Sequence, residues 1–588
     1  MSSIFCTKAC EITLPSGRKV EYPVPVSLLD LSAKEPELQP PSDKDGELIA
    51  VTVDGVETSL STAITAHTAA VAPIFLHTSE GMSIYRRSLV FILGLAAYEE
   101  FGPSTHITVE HSVMFNRGYV CNMKSKEEEK EKDKDKEGKG KEKVSDLKIR
   151  MSKIISENRL ISEQNISYHE ALNHFRATER EMSFANVETG NSEHIRVTTC
   201  GDYAALYYRC LAAHTGILSV FDLVCMDPNS GSFALLFPIR KQWDKETIGL
   251  PKTLAEVQSD RICRVYEEYN RWGALLGVES VGHMNRKIIS GKSRELVMVS
   301  EALQNHKVVE LATEMKKRVD SGKLRMVLIA GPSASGKTTF ANKLGIQLRI
   351  LGCTPVVLSV DNYAVPRVET PRDENGNYDF EVIEALRIEL LNEHLLALMR
   401  GEEVRTPVFN FQTGVPRDNA IPLTLPKDGV LIMEGIHCLN PRLTHLVPAD
   451  AKFKIFVAPL SQLNLDELNF MSHGVTRLFR RIVRDYNHRG YSAADTLARW
   501  PSVARGEDRN IFPFMNEADF VFNTALDYET SVLKVYVSPL LKTVKPGSPE
   551  YNLARNLLIV LDWYFPIPHD DVPGDSLLRE FVGGSFFE

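Results

Sequence analysis

Residues 326–339 read Met-Val-Leu-Ile-Ala-Gly-Pro-Ser-Ala-Ser-Gly-Lys-Thr-Thr, and the fold of the C-terminal half turns on them. The five apolar residues at 326–330 show no polar alternation, as expected of a strand covered on both faces of a parallel sheet. Gly331-Pro332-Ser333-Ala334-Ser335-Gly336-Lys337-Thr338 fits GxxxxGK[ST] in full, and helix-forming residues from Thr339 follow it. The glycines let successive N–H groups turn inward, and the helix points its positive end at the same place. The pattern predicts a loop that cradles ATP phosphates, with Lys337 reaching the outer ones and the Thr338 hydroxyl on Mg²⁺.

Outward from this loop, residues 355–360, 429–433 and 453–457 are further continuous apolar runs separated by helical patterns. Strand–helix alternation over some 250 residues predicts an α/β domain with a doubly wound parallel sheet. Asp361 ends one run and Glu434 another. Acids at the carboxyl ends of parallel strands suit magnesium and the activation of a hydroxyl. Asp361 is the better candidate base, and Thr338, Asp361 and Glu434 are the candidate metal ligands. Further on, Arg477, Arg480, Arg481 and Arg484 recur at helical spacing before Arg489-Gly490. They read either as a solvated basic face or as forks for transferring phosphoryl oxygens, with the glycine as the hinge of a lid.

The order GPSASGKTT, LSVDNY, TPRDENGNYDFE, EGI and TRLFRRIVRDYNHRG resembles the uridine–cytidine kinase and phosphoribulokinase group, densely over residues 326–566. The resemblance implies a general base at Asp361, an acid holding the ribose at Asp379, and aromatics beside the base at Phe409 and Phe411. It implies a substrate-side arginine at Arg481 and lid arginines on the ATP phosphates at Arg484 and Arg489. A histidine that reads the pyrimidine edge in that group is replaced by Gly414, Asn410 stands for an aspartate, and Tyr491 for the last lid arginine. The implied reaction is phosphorylation of uridine or cytidine by ATP. A different small alcohol such as a sugar phosphate, or a regulatory or RNA-associated role with little turnover, stays open.

The N-terminal half reads differently. Residues 10–22 alternate around a Pro-Ser-Gly turn as a β-hairpin, and residues 48–53 form another alternating run before Asp54-Gly55. Residues 85–100 are helix-like and 105–110 strand-like. Helical periodicity is expected from Leu147 through Phe175 to Met182, and strands flank 198–202 and run through 216–226. ITLPSGRKVEYP is similar to the TGS fold, a ubiquitin-like β-grasp. The region after it is similar to the second additional domain of threonyl-tRNA synthetases, without that domain's histidine pair or Cys-x-x-x-His pair. No editing activity is expected. The expected organisation is a β-grasp module at 1–75, a mixed α+β domain at 76–285, a helical linker at 286–322, the kinase at 323–568 and a tail at 569–588. Residues 124–143 are almost entirely lysine, glutamate and aspartate and predict a solvated, disordered insertion or a frayed helix.

The bulk numbers set outer limits. A chain of 588 residues needs more than one core, and a net charge of -9 speaks against a dedicated nucleic-acid binder. The nine cysteines form no CxxC pair, and no secretory start or bilayer-length apolar run is present. A cytoplasmic protein with a nucleoside-like substrate and no membrane partner is expected, and self-association is left open.

Overall fold

The strand Met326–Ala330 is the middle of a five-stranded, wholly parallel sheet. This is seen in a computed structural model that describes the chain except residues 1–8, 42–45, 114–116, 125–138, 191, 228–230, 241–247, 250–259, 374–375, 462 and 588. The order across the sheet is Thr354–Ser359, Gly429–Glu434, Met326–Ala330, Lys452–Ala458 and Phe520–Asn523. All five residues of the central strand are buried, which is why no polar residue interrupts it.

Both faces are covered. Val327, Ile329, Ile432 and Val457 pack against Phe340 and Leu344 of helix Lys337–Ile350 and against Val308, Leu311 and Met315 of helix Ser293–Asp320. On the other face Met326, Leu328, Leu431 and Met433 meet Leu391, Leu395 and Leu398 of helix Ile388–Met399. Each such fully buried side chain contributes roughly 1.5–3 kcal/mol. The expected doubly wound α/β architecture is therefore the observed one. The fifth strand, Phe520–Asn523, and a hairpin of Val404–Asn410 with Val415–Leu423 were not anticipated.

The segment expected to be a linker is instead a packed layer. Helices Val281–Ile289 and Ser293–Asp320 break at Ser290–Lys292. Buried Glu301 accepts a hydrogen bond from the Tyr528 hydroxyl at 2.6 Å.

In the N-terminal half, Ala9–Thr13 and Lys19–Pro23 form the expected hairpin inside a five-stranded sheet. Helix Ser79–Phe101 and strand His106–Val113 follow. Continuous helical periodicity after Leu147 is corrected: Ser162–Ser167 is a strand paired with His194–Cys200. Its sequence, Ser-Glu-Gln-Asn-Ile-Ser, has no apolar alternation to announce it. Only Asp222–Asp227 of the run expected at 216–226 is strand. Of the charged insertion, 125–138 lies outside the described residues, while Lys139 already starts helix Lys139–Ser156. Among the described residues, no helix is long and apolar enough to cross a membrane.

Glu57 joins the two halves. Its buried carboxylate is paired with Arg87 and with Arg209 at 2.7 Å. Its backbone N–H donates to Asn552 at 2.9 Å, and Asn556 donates to its carboxylate at 3.3 Å. Burial pushes this acid up, but the two arginines outweigh that and hold it at about 2.

Candidate active site

Gly331 leaves the central strand so close to its neighbour that a Cβ would stand 1.9 Å from the Val457 carbonyl oxygen. Only glycine fits there. Ala334 and Gly336 then take φ of 59° and 81°, and Gly336 caps helix Lys337–Ile350. The residues expected to hold ATP, Gly331 to Thr339, therefore form one continuous turn at a helix N-terminus. Lys337 donates to the Pro332 carbonyl at 3.1 Å. Thr338 is exposed, and the Thr339 hydroxyl donates to Glu580 at 2.8 Å.

Ser359 and Glu434 are register partners on adjacent strands, so Asp361 and Glu434 meet at the carboxyl end of the sheet. Glu434 is buried. Burial, reinforced by the charge of Asp361, holds its carboxyl above the usual carboxylate range.

The arginine helix, His473–Arg484, divides its cations between different partners. Arg477 and Arg480 are buried and do not form a phosphate-facing stripe with the others. Arg477 grips Glu507, and Arg480 pairs with Glu529 and donates to the Thr524 carbonyl at 2.8 Å. Arg481 and Arg484 face the loop and donate to the Ser333 hydroxyl at 2.9 and 3.3 Å. Burial, with Arg489 and Arg481 nearby, lowers Arg484 to about 10. Crowded, desolvated cations of this kind are stabilised by a polyanion. Asp485 collects Arg481 at 3.2 Å and Arg489 at 3.3 Å. The chain then passes through a π-helical turn, Asp485–Arg489, that ends at Gly490 with φ of 68°.

Beside the loop is a cavity of about 520 Å³ that Asp361, Asp379, Phe409, Phe411, Arg481 and Arg489 all line. Phe409 and Phe411 stand edge to face, 5.2 Å apart. Arg489, expected on the ATP phosphates, lies over the Phe411 ring at 5.2 Å. Asn362, next to Asp361, accepts the Phe409 N–H at 3.2 Å and so ties the aromatic hairpin to the acid. Gly414 turns this hairpin with φ of 73°, and a Cβ there would stand 2.8 Å from Arg367. Arg367 in turn donates to the Phe411 carbonyl at 2.7 Å.

Sequence reasoning missed Arg367, Glu381, His437, Asp485, Glu507 and Glu580. Glu381 and His437 line the cavity; burial, with Glu507 close, lifts Glu381 to about 7, and burial drops His437 to about 4. Asp485 had a readable signal, lying four residues from both Arg481 and Arg489. Glu507 and Glu580 had none, since the loop residues they hold, Ser333 and Thr339, are 174 and 241 residues away.

A phosphate loop, two acids at neighbouring strand ends and an arginine helix facing the loop define an ATP-dependent P-loop kinase. The family model described as "Phosphoribulokinase / Uridine kinase family" matches residues 326–531. The uridine kinase of Aliivibrio salmonicida (strain LFI1238) is 31% identical over 228 residues, covering 37% of this chain and 95% of that protein. That of Ureaplasma parvum serovar 3 (strain ATCC 27815 / 27 / NCTC 11736) is 27% identical over 178 residues, covering 30% and 77%. A solved structure titled "Structure of a Possible Uridine Kinase from Bacillus stearothermophilus" aligns with 36% of this chain and 100% of that one, at 19% identity and a TM-score of 0.23. The chain belongs to the phosphoribulokinase / uridine kinase family.

Proposed function

We propose that the protein transfers the terminal phosphoryl group of ATP to the 5′-hydroxyl of a nucleoside, uridine or cytidine, in pyrimidine salvage. One observation carries this reading: a single cavity joins Asp361 to an aromatic pair and to Asp379. It offers a base for a hydroxyl, apolar walls for a planar heterocycle and an acid for the sugar hydroxyls.

In this reading Asp361 orients the acceptor hydroxyl and takes its proton as the oxygen bonds to phosphorus. Lys337, Arg481 and Arg484 offset the charge on the phosphoryl oxygens, and ADP leaves. Arg489 with Asp485 closes the arginine side over the substrates. Thr338, Asp361 and Glu434 fit Mg²⁺, because they are hard oxygen donors and the two acids meet at the carboxyl end of the sheet, where a cation offsets the burial and the Asp361 charge that act on Glu434. When bound, Mg²⁺ supplies charge neutralisation of the nucleotide phosphates.

The N-terminal sheet is read as a TGS-like module and the region after it as a synthetase-like domain without hydrolytic residues. Helix Ser79–Phe101 carries no histidine, and Ala204 stands four residues after Cys200 where that domain has a histidine, which supports the second part of that reading. A second acceptor class, an alcohol bearing an anionic group, is favoured by Arg367, Arg489 and Arg499 on the cavity wall. ATP turnover measured against ribosides and sugar phosphates separates the two. ADP release that depends on a sugar phosphate and on no riboside overturns the nucleoside reading.

A further inference from the structure

The C-terminal segment, expected as a tail, lies across the phosphate loop. Lys343 of the loop's helix donates to the Asp575 carbonyl at 3.0 Å and approaches its carboxylate at 3.4 Å. Leu577 closes over Gly336, its nearest carbon 3.5 Å from where a Cβ of residue 336 would stand. Phe581 is fully buried beneath the Arg480 guanidinium at 5.2 Å, and Asn487 of the arginine side donates to its carbonyl at 3.2 Å. Between these anchors, Glu580 accepts the Thr339 hydroxyl and acts electrostatically on both Glu434 and Arg484.

A helix N-terminus with a hydroxyl in its first turn is an anion site. Lys337 is assigned to the outer phosphates and the Thr338 hydroxyl to Mg²⁺, so Thr339, one residue on, addresses the inner end of the phosphate chain. That place is taken by a carboxylate of the chain itself. We propose that residues 575–582 form a latch over the nucleotide cradle, in which Glu580 stands in for an inner phosphate and must leave Thr339 before ATP seats fully. The inference depends on the phosphate loop being where ATP binds. The latch makes nucleotide affinity a competition between phosphate and carboxylate for the same hydroxyl and the same positive field. It also links residues 575–582 to the arginine side through Phe581 and Asn487.

The test uses the full chain and MgADP. Titration calorimetry on Glu580→Gln should show MgADP bound about fivefold more tightly than by the wild type, because one like-charge repulsion is removed. Hydrogen exchange on the unaltered protein is the second measurement: saturating MgADP should speed exchange across residues 575–582. An unchanged or weaker affinity in Glu580→Gln, or slower or unchanged exchange in that segment, overturns the latch. If Lys337→Ala binds MgADP as tightly as wild type, the nucleotide reading of the loop fails first and the latch falls with it.

Discussion

Arg477 holds Glu507 with both terminal nitrogens, at 2.5 and 2.6 Å, and the same carboxylate accepts the Ser333 backbone N–H at 3.0 Å. Both side chains are almost wholly buried. A residue of the phosphate loop is therefore held by helix Ala493–Asn510, whose own position is set by the arginine helix.

Breaking that pair should unfold more than it disarms. Arg477→Met leaves Glu507 charged, buried and unpaired, and should lose about 3–5 kcal/mol of stability. Urea unfolding checks this. Glu507→Gln, which keeps an acceptor for Ser333, should lose less and raise KM for ATP without abolishing turnover.

Asp361→Asn keeps the shape of the site and removes the base. Turnover should fall by about 10²–10⁴-fold, with ATP affinity measured by calorimetry within about twofold of wild type. Normal turnover in this variant sinks the assignment of Asp361.

Gly414→Ala adds a Cβ at φ of 73° and 2.8 Å from Arg367. The left-handed backbone alone costs about 1–2 kcal/mol, and Arg367 must shift against Phe411. KM for the acceptor should rise several-fold while KM for ATP stays put. Steady-state kinetics varying each substrate in turn reads the difference.

Glu57 sets an acid limit on stability. Its folded pKa, about 2, lies below the ordinary 4.5, so its stabilisation is fully present above pH 4.5 and is lost as pH falls towards 2. By linkage this amounts to about 3 kcal/mol. Glu57→Gln should be less stable by that order at pH 7 and show a shallower loss between pH 4.5 and 2, as thermal unfolding at several pH values would reveal.

What the sequence disclosed follows from where the causes lie. Four of the five parallel strands were readable because their apolar runs are continuous, and Asp361 and Glu434 stood out as acids ending such runs. The arginine helix was readable as a helix, but its spacing could not say that Arg477 and Arg480 point at Glu507 and Glu529, which lie 30 and 49 residues further on. The strand Ser162–Ser167 is partly exposed along its whole length, so nothing apolar marked it. The role of the last residues depends on Leu577 and Phe581 reaching the kinase core, a matter of tertiary distance alone.

Helix Ser293–Asp320 has a practical meaning. Its Val308, Leu311 and Met315 wall one face of the catalytic sheet, and its Leu296 and Val297 share a core with Phe175, Leu478 and Phe581. A shortened protein cut at Met326, where the family match starts, would strip that face of one of its two covering helices and present bare leucine and phenylalanine to water. The excisable enzyme starts well upstream of the region that sequence similarity marks out.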